Sequence, residues 1–285
     1  MSTAVLLLAY GSPARLEDVP AFFSNIRGGR PVRQEAVEEL VEKYRRVDLS
    51  PLDAITEAQR AGLERELGIL CYVGMKHWSP WIADAVERMV GDGVTRIIGL
   101  VLAPHYSRIS IGGYRDRVEK ALRGRTEVDF IESWHDWPPY LDVVASRLRG
   151  TDAHVVFTAH SLPERIISEG DPYRDQLLET ARLAAGRAGI AHWTFAFQSE
   201  SATGEPWLGP DLLVHLEELH ALGVRKVLVA PVGFVCDHLE ILWDIDVEAR
   251  DKAAELGLEL DRIASMNADP AFVHALAGLV RSRVG

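Results

Sequence analysis

The chain has 285 residues, 47% hydrophobic and 26% charged, with a formal net charge of −11. That is globular material, long enough for one large domain or for two of roughly 140 residues that each bury a core. No apolar run approaches the ~18–20 residues of a membrane span, and MSTAVLLLAYGSP lacks the basic start of a signal peptide, so the expected compartment is the cytoplasm. The acid surplus argues against nucleic acid or anionic lipid as a partner and leaves two readings of itself, solvation or a cation path.

In chain order, a strand is expected at Thr3–Ala9, then helices at Arg33–Val47 and Ile55–Leu67. Strand Ile69–Val73, helix Trp81–Gly91 and strands Arg96–Ala103 and Val128–Glu132 follow. After Trp134–Tyr140, whose Trp-Pro-Pro breaks both helix and strand, come strand Ala153–Ala159, helix Tyr173–Ala188 and strand Trp193–Gln198. Helix Pro210–Leu222, strands Lys226–Ala230 and Leu258–Ile263, and helix Pro270–Val284 complete the chain. Nearly all the strands are apolar throughout, as in a parallel sheet covered on both faces. LVLAPHYS at Leu100–Ser107 echoes VLVAPVGF at Val227–Phe234, and LLLAYGSP echoes VVFTAHSLP. The expected fold is therefore α/β: two similar Rossmann-like lobes, each a four-stranded parallel sheet flanked by helices. The first lobe is expected over 1–137 with a helix at 268–285 packing back on it, the second over 138–267.

Ligands of open parallel sheets sit beyond the carboxyl ends of the strands. Tyr10-Gly11-Ser12, His77, His105-Tyr106-Ser107, His160-Ser161, Gln198-Ser199-Glu200 and the Gly233–Glu240 loop all fall there. GxGxxG, GxxxxGK[ST] and GxSxG are absent, which weakens nucleotide and acyl chemistry. Gly28-Gly29 and Gly112-Gly113 read as turns. Cys71 and Cys236 fall short of the four thiolates of an iron–sulfur cluster or structural zinc and read as free thiols.

His160 and the segment CDHLEILWDIDVEARDKAAE form the strongest chemical constellation. Glu240, Asp244 and Glu248 recur every four residues, close to one line along a helix. Stacked carboxylates repel unless a divalent cation passes along them, and histidine with carboxylate suits Fe²⁺, Co²⁺ or Zn²⁺. The competing reading is a solvated helix face, continued by Asp251 and Glu255, with Leu239, Leu242, Ile245, Ala249 and Ala253 on the buried side. For His160 the competing reading is a capping or core histidine.

At these residues the chain resembles the ferrochelatases over nearly its whole length. The stretches FTAHSLPERI–SEGDPY, with His160, and PVGFVCDHLEILWDIDVE, with Glu240, carry the likeness together with LLLAYGSP, NIRGGRP, YRRVDLSPL, ITEAQ, GMKHWSPWIADAV, LAPHYS and QSES–PWLGPDL. The resemblance implies a porphyrin held between two lobes and insertion of Fe²⁺ as substrate, with no cofactor required. It implies that His160 and Glu240 are catalytic and contact the metal, with Asp244 and Glu248 as a relay toward solvent. By position, Tyr10 approaches the metal from the other face, and Arg27, Lys43, Tyr44, Ser50 and Tyr114 contact the macrocycle or its propionates. Lys43 stands where many relatives have arginine, and Val47-Asp48-Leu49 shortens the usual glycine-rich link before SPL. Trp78, Trp81 and Trp207 are candidates for the cavity wall.

With Tyr10 present, and neither lip segments nor a cluster before the chain stops at Arg281–Gly285, the expected type is the short bacterial one that acts on coproporphyrin III. Protoporphyrin IX is the alternative substrate. A cobalt or nickel chelatase and a non-catalytic porphyrin carrier are the other readings. A monomer is expected, and a downstream haem-pathway enzyme docking transiently is the one macromolecular partner the resemblance brings in.

Overall fold

The structure, a computed structural model, describes residues 2–201 and 204–284; Gly285, the last residue of the expected C-terminal element, lies outside it. Eight parallel strands form two four-stranded sheets. In the first, β1 (Thr3–Ala9), β2 (Cys71–Met75), β3 (Arg96–Val101) and β4 (Glu127–Ile131) lie in the order β2-β1-β3-β4. In the second, β5 (His154–His160), β6 (Trp193–Gln198), β7 (Lys226–Ala230) and β8 (Glu259–Arg262) lie in the order β6-β5-β7-β8. The orders are identical once β1 is matched to β5, which is what the echoed sequence stretches imply.

The crossovers are helical, as parallel strands require. The first lobe carries α1 (Val19–Ile26), α2 (Gln34–Arg46), α3 (Leu52–Leu67), α4 (Ile82–Gly91) and α5 (Gly113–Leu122). Helix α6 (Pro138–Leu148) leads into the second lobe, with α7 (Arg165–Ser168), α8 (Tyr173–Ala188), α9 (Leu212–Ala221) and α10 (Arg250–Leu256); α11 (Pro270–Val284) ends the chain. Two further segments, Arg108–Gly112 and Ile241–Ala249, are wound as π-helix. Gly112-Gly113 is thus helical, where a turn was expected, whereas Gly28 and Gly29 do form a left-handed turn, at φ 66° and 76°.

Alternate residues of the central strands point to different layers. On β1, Val5 and Leu7 enter one core while Ala4, Leu6 and Leu8 enter another. The first of these cores also takes Val155 and Phe157 of β5, Tyr140, Leu141, Val144 and Leu148 of α6, and Phe272, Leu276 and Val280 of α11. The two sheets therefore share a core, with α6 and α11 filling the space between them. The Trp134–Tyr140 segment is part of that joint: Trp134 Nε1 donates to the Val101 carbonyl at 3.0 Å, Trp137 Nε1 to Ala275 at 2.9 Å, and the Tyr140 hydroxyl to Val232 at 3.1 Å. The α11 helix packs on α3, α6 and β3. Among the described residues no helix is long and apolar enough to cross a membrane.

Candidate active site

The carboxyl ends of both sheets open onto one cleft. Strand β5 delivers His160 at its last position, in register with Gln198 at the end of β6. The loop after β7 brings Cys236–Glu240 alongside and then winds into the π-helix. There the buried side chains Ile241, Ile245 and Ala249 recur every four residues, a longer step than the 3.6 of an α-helix. This corrects the expected buried face: Ile241 takes the place of Leu239 and Leu242, which are only half-buried. Leu239 instead joins an apolar wall with Phe22, Tyr44 and Trp78 of the first lobe.

Glu240 is held by two histidines. Its Oε1 lies 3.4 Å from His160 Nε2 and its Oε2 lies 3.5 Å from His238 Nε2. Each ring is aimed from behind, His160 Nδ1 by the Ser161 carbonyl and His238 Nδ1 by the Cys236 carbonyl at 3.0 Å, which fixes the nitrogen that faces the carboxylate. The Tyr173 hydroxyl donates to the His160 carbonyl at 3.0 Å. About a third of each side chain, 30% for His160 and 36% for Glu240, stays accessible, so the pair is reachable by a ligand.

Burial opposes charge on both members of this pair. Their mutual attraction wins, so His160 is held above its usual range and Glu240 below its own. Both shifts favour imidazolium beside carboxylate. Burial and the charge of Glu240 push Asp244 the other way, up to about 6, against hydrogen bonds from Ser199 and Gln198. Gln198 Nε2 bridges the Glu240 carbonyl at 3.3 Å and Asp244 Oδ2 at 3.4 Å. Ser199, which donates to Asp244, sits at φ 63°, a left-handed conformation costly for a serine and held here at the rim of the site. Asp244 and Glu248 line a cavity of 260 Å³ with Gln198, Ser199, Glu200, Asp211 and Lys43. Among the described residues no group of three or more His, Cys, Asp or Glu side chains is arranged to hold a metal ion by itself.

Tyr10 projects from the end of β1, 43% exposed, with its ring 4.5 Å from that of His77. Its exposure is to a crowded cleft, and burial together with the Glu240 charge keeps its hydroxyl well above the usual phenol range. Trp207 brings its ring 6.4 Å from His160. The other expected porphyrin contacts are more dispersed. Arg27 is exposed in the Gly28–Gly29 turn. Lys43 stands at the acid cavity, 5.3 Å from the Trp243 ring and 3.7 Å from Glu39. Tyr44 is buried edge-on against Phe22, Ser50 accepts from the Leu52 amide at 3.4 Å at the start of α3, and Tyr114 is buried beneath the Lys76 ammonium at 4.7 Å.

His238, Gln198 and Ser199 belong to the site although no role was assigned to them from sequence. The available signal was their place at the carboxyl ends of β6 and β7. His135, also without an assigned role, faces Glu179 at 3.1 Å.

The model of the ferrochelatase family matches residues 2–284. The chain belongs to the ferrochelatase family. A ferrochelatase of Herpetosiphon aurantiacus is 45% identical over 98% of both chains. A coproporphyrin III ferrochelatase of Geobacillus kaustophilus is 40% identical over 99% of this chain and 96% of its own. Among solved structures, SirB from Bacillus subtilis with Fe³⁺ superposes with a TM-score of 0.64 at 13% identity, covering 99% of this chain and 95% of that one, and shows the same two-lobed chelatase fold. Family membership makes the protein a metal chelatase with porphyrin and iron as substrates.

Proposed function

We propose that the protein inserts Fe²⁺ into coproporphyrin III to give Fe-coproporphyrin III, with iron as substrate and no resident cofactor. The observation that carries the reading is the His160–Glu240 pair, a third of each side chain accessible, with Tyr10 exposed at the end of β1 and within reach of the Glu240 charge. Metallation exchanges one divalent cation for two pyrrole protons. The site must therefore attract a cation, accept protons and pass them out.

Glu240 is anionic and supplies the attraction. An arriving dication drives the proton on His160 out to cleft water; the freed Nε2 lone pair then takes one pyrrole proton, and the second leaves to water or to ionised Asp244. Asp244, near 6, exchanges a proton with water at neutral pH and hands it to the Glu248 end of the cavity. Tyr10 remains a neutral phenol and meets the ring as a hydroxyl. The coproporphyrin assignment is supported by relatives of that name at about 40% identity and by Tyr10 at the cleft.

The test is a metallation assay with coproporphyrin III and protoporphyrin IX, each with Fe²⁺, Co²⁺ and Zn²⁺. The expected result is faster turnover of coproporphyrin III; turnover of protoporphyrin IX alone overturns the assignment.

A further inference from the structure

The π-helix that carries Asp244 and Glu248 is nine residues long, whereas π-helix is found mostly as single turns. Something outside it must hold its rotation. Arg262, the last residue of β8, grips it at mid-length: Nε meets Asp246 Oδ1 and Nη2 meets Asp246 Oδ2, both at 2.8 Å. This is the two-point fork that a guanidinium makes with a carboxylate and an ammonium does not. The same Nη2 reaches Asp237 Oδ1 at 3.1 Å. Asp237 immediately precedes His238, so a single side chain ties the turn that presents His238 to the helix that presents Glu240, Asp244 and Glu248.

Both oxygens of Asp237 are further occupied. Ser265 Oγ donates to Oδ1 at 2.7 Å and Asn267 Nδ2 to Oδ2 at 2.8 Å, while the Asp237 amide donates to Asn267 Oδ1 at 2.8 Å. Asn267 holds φ 46° to do so, and its carbonyl accepts from Gln59 Nε2 of α3 at 2.8 Å. The brace thus reaches into the first lobe. Arg262 is 13% exposed and Asp237 22%, so these charges are shielded from water and geometrically fixed, unlike a surface pair.

We propose that Arg262 is a positioning residue for metal delivery: by clamping Asp237 and Asp246 together it sets the spacing of the His238 turn and the helix that carries Glu240, Asp244 and Glu248, and so governs how the metal, and not the porphyrin, is taken up. This rests on the chelatase reading above. The experiment is steady-state metallation by Arg262→Gln, Arg262→Lys and Asp246→Asn, with Fe²⁺ and whichever of the two porphyrins the parent turns over, together with hydrogen exchange of residues 236–249.

The expected result is a KM for Fe²⁺ raised tenfold or more in R262Q and D246N with the porphyrin KM within twofold of the parent. Arg262→Lys should fall between, and exchange should be faster in 236–249 alone. The double variant should be no worse than the more impaired single one, because the two groups act as a unit. If R262Q does not fold, D246N decides by the same split. Equal changes in the two KM values, or no change in either, overturn the inference while leaving the chelatase reading intact; a parent that metallates neither porphyrin overturns that reading first, and the inference with it.

Discussion

The two lobes share strand order and many of their turns, yet they treat histidine in opposite ways. At the end of the first sheet His77 is buried near Lys76 and Arg117, and its pKa is pushed down to about 3; fully buried His105 is lowered as well. In the second sheet His160, also enclosed, is raised. Burial works the same way in both lobes. The difference lies in the neighbours: the Glu240 carboxylate reaches His160, whereas His77 Nδ1 meets the neutral Asn25 side chain at 2.9 Å with the Lys76 and Arg117 charges lowering it further, and His105 Nε2 meets the Thr180 hydroxyl at 2.9 Å. Two lobes of one strand order become an asymmetric site by putting a carboxylate beside the histidine of one wall and leaving the histidines of the other neutral.

The sharpest way to break this asymmetry is to remove the charged wall. His160→Ala or Glu240→Gln should lower the metallation rate by ~10²–10⁴, the range that a positioned proton-transfer group supplies. Porphyrin binding, measured by fluorescence quenching, should hold within a few-fold. Loss of binding in step with turnover would move both residues from chemistry to porphyrin capture.

The strand pattern of both lobes was legible because most strands are apolar runs, β4 (EVDFI) and β8 (ELDR) being the polar exceptions at the sheet edges; Thr3–Ala9, Trp193–Gln198 and Lys226–Ala230 lie where the pattern puts them. His160, Glu240, Asp244 and Glu248 were legible as residue types at strand ends and at a four-residue spacing. What the pattern did not carry is the π winding, since a four-residue recurrence fits an α-helix nearly as well and no local propensity marks the difference. Nor did it carry Trp134 and Tyr140, whose flanking prolines read as a break although both side chains are buried in the joint between sheets. His238 was passed over because a histidine two residues from a better candidate has no spacing signal of its own. Only the fold of the Cys236 loop turns it onto Glu240.

Gly233 tests how tightly the charged lobe is built. In the echoed stretches it stands where the first lobe has Tyr106, and its amide donates to the Thr158 carbonyl at 3.1 Å. A Cβ there would lie 2.5 Å from Ala159 Cβ and 2.7 Å from Ala159 Cα, backbone that cannot step aside. Gly233→Ala should cost about 1–3 kcal/mol in denaturant unfolding and displace His160, the next residue along β5. Activity should therefore fall further than stability predicts. Unchanged stability and activity would show that β5 has room to move.

The neutral wall has a pH signature. With His77 near 3 in the folded protein and 6.5 when free, the unfolded chain binds a proton between those values that the folded chain does not. Stability contributed by neutral His77 is full above pH 6.5 and is lost as pH falls toward 3. Allowing for water admitted by the cleft, the parent should lose about 1–2 kcal/mol from this group between pH 7 and pH 5, and His77→Gln should lack that share. Identical pH slopes for the two proteins would place the titrating group elsewhere.

The smallest contrast lies at the opposite ends of the sheets. Arg96 and Lys226 open the third strand of each lobe and both meet acids, Arg96 with Asp129 at 3.5 Å and Lys226 with Asp152 at 3.3 Å. Lys226 is half exposed against partners that are about four-fifths exposed, so Lys226→Ala should change stability by no more than about 0.5 kcal/mol. Arg96 does more, because its Nη2 also donates to the Arg283 carbonyl at 2.7 Å. The last carbonyls of a helix have no partner within it, and a cation there also favours the helix dipole. Arg96→Ala should therefore cost about 1 kcal/mol and loosen the end of α11, seen as faster amide exchange over its last turn. Equal costs for the two variants would mean that α11 is held by its apolar face alone, by Phe272, Leu276 and Val280, and that the cation at its end adds nothing.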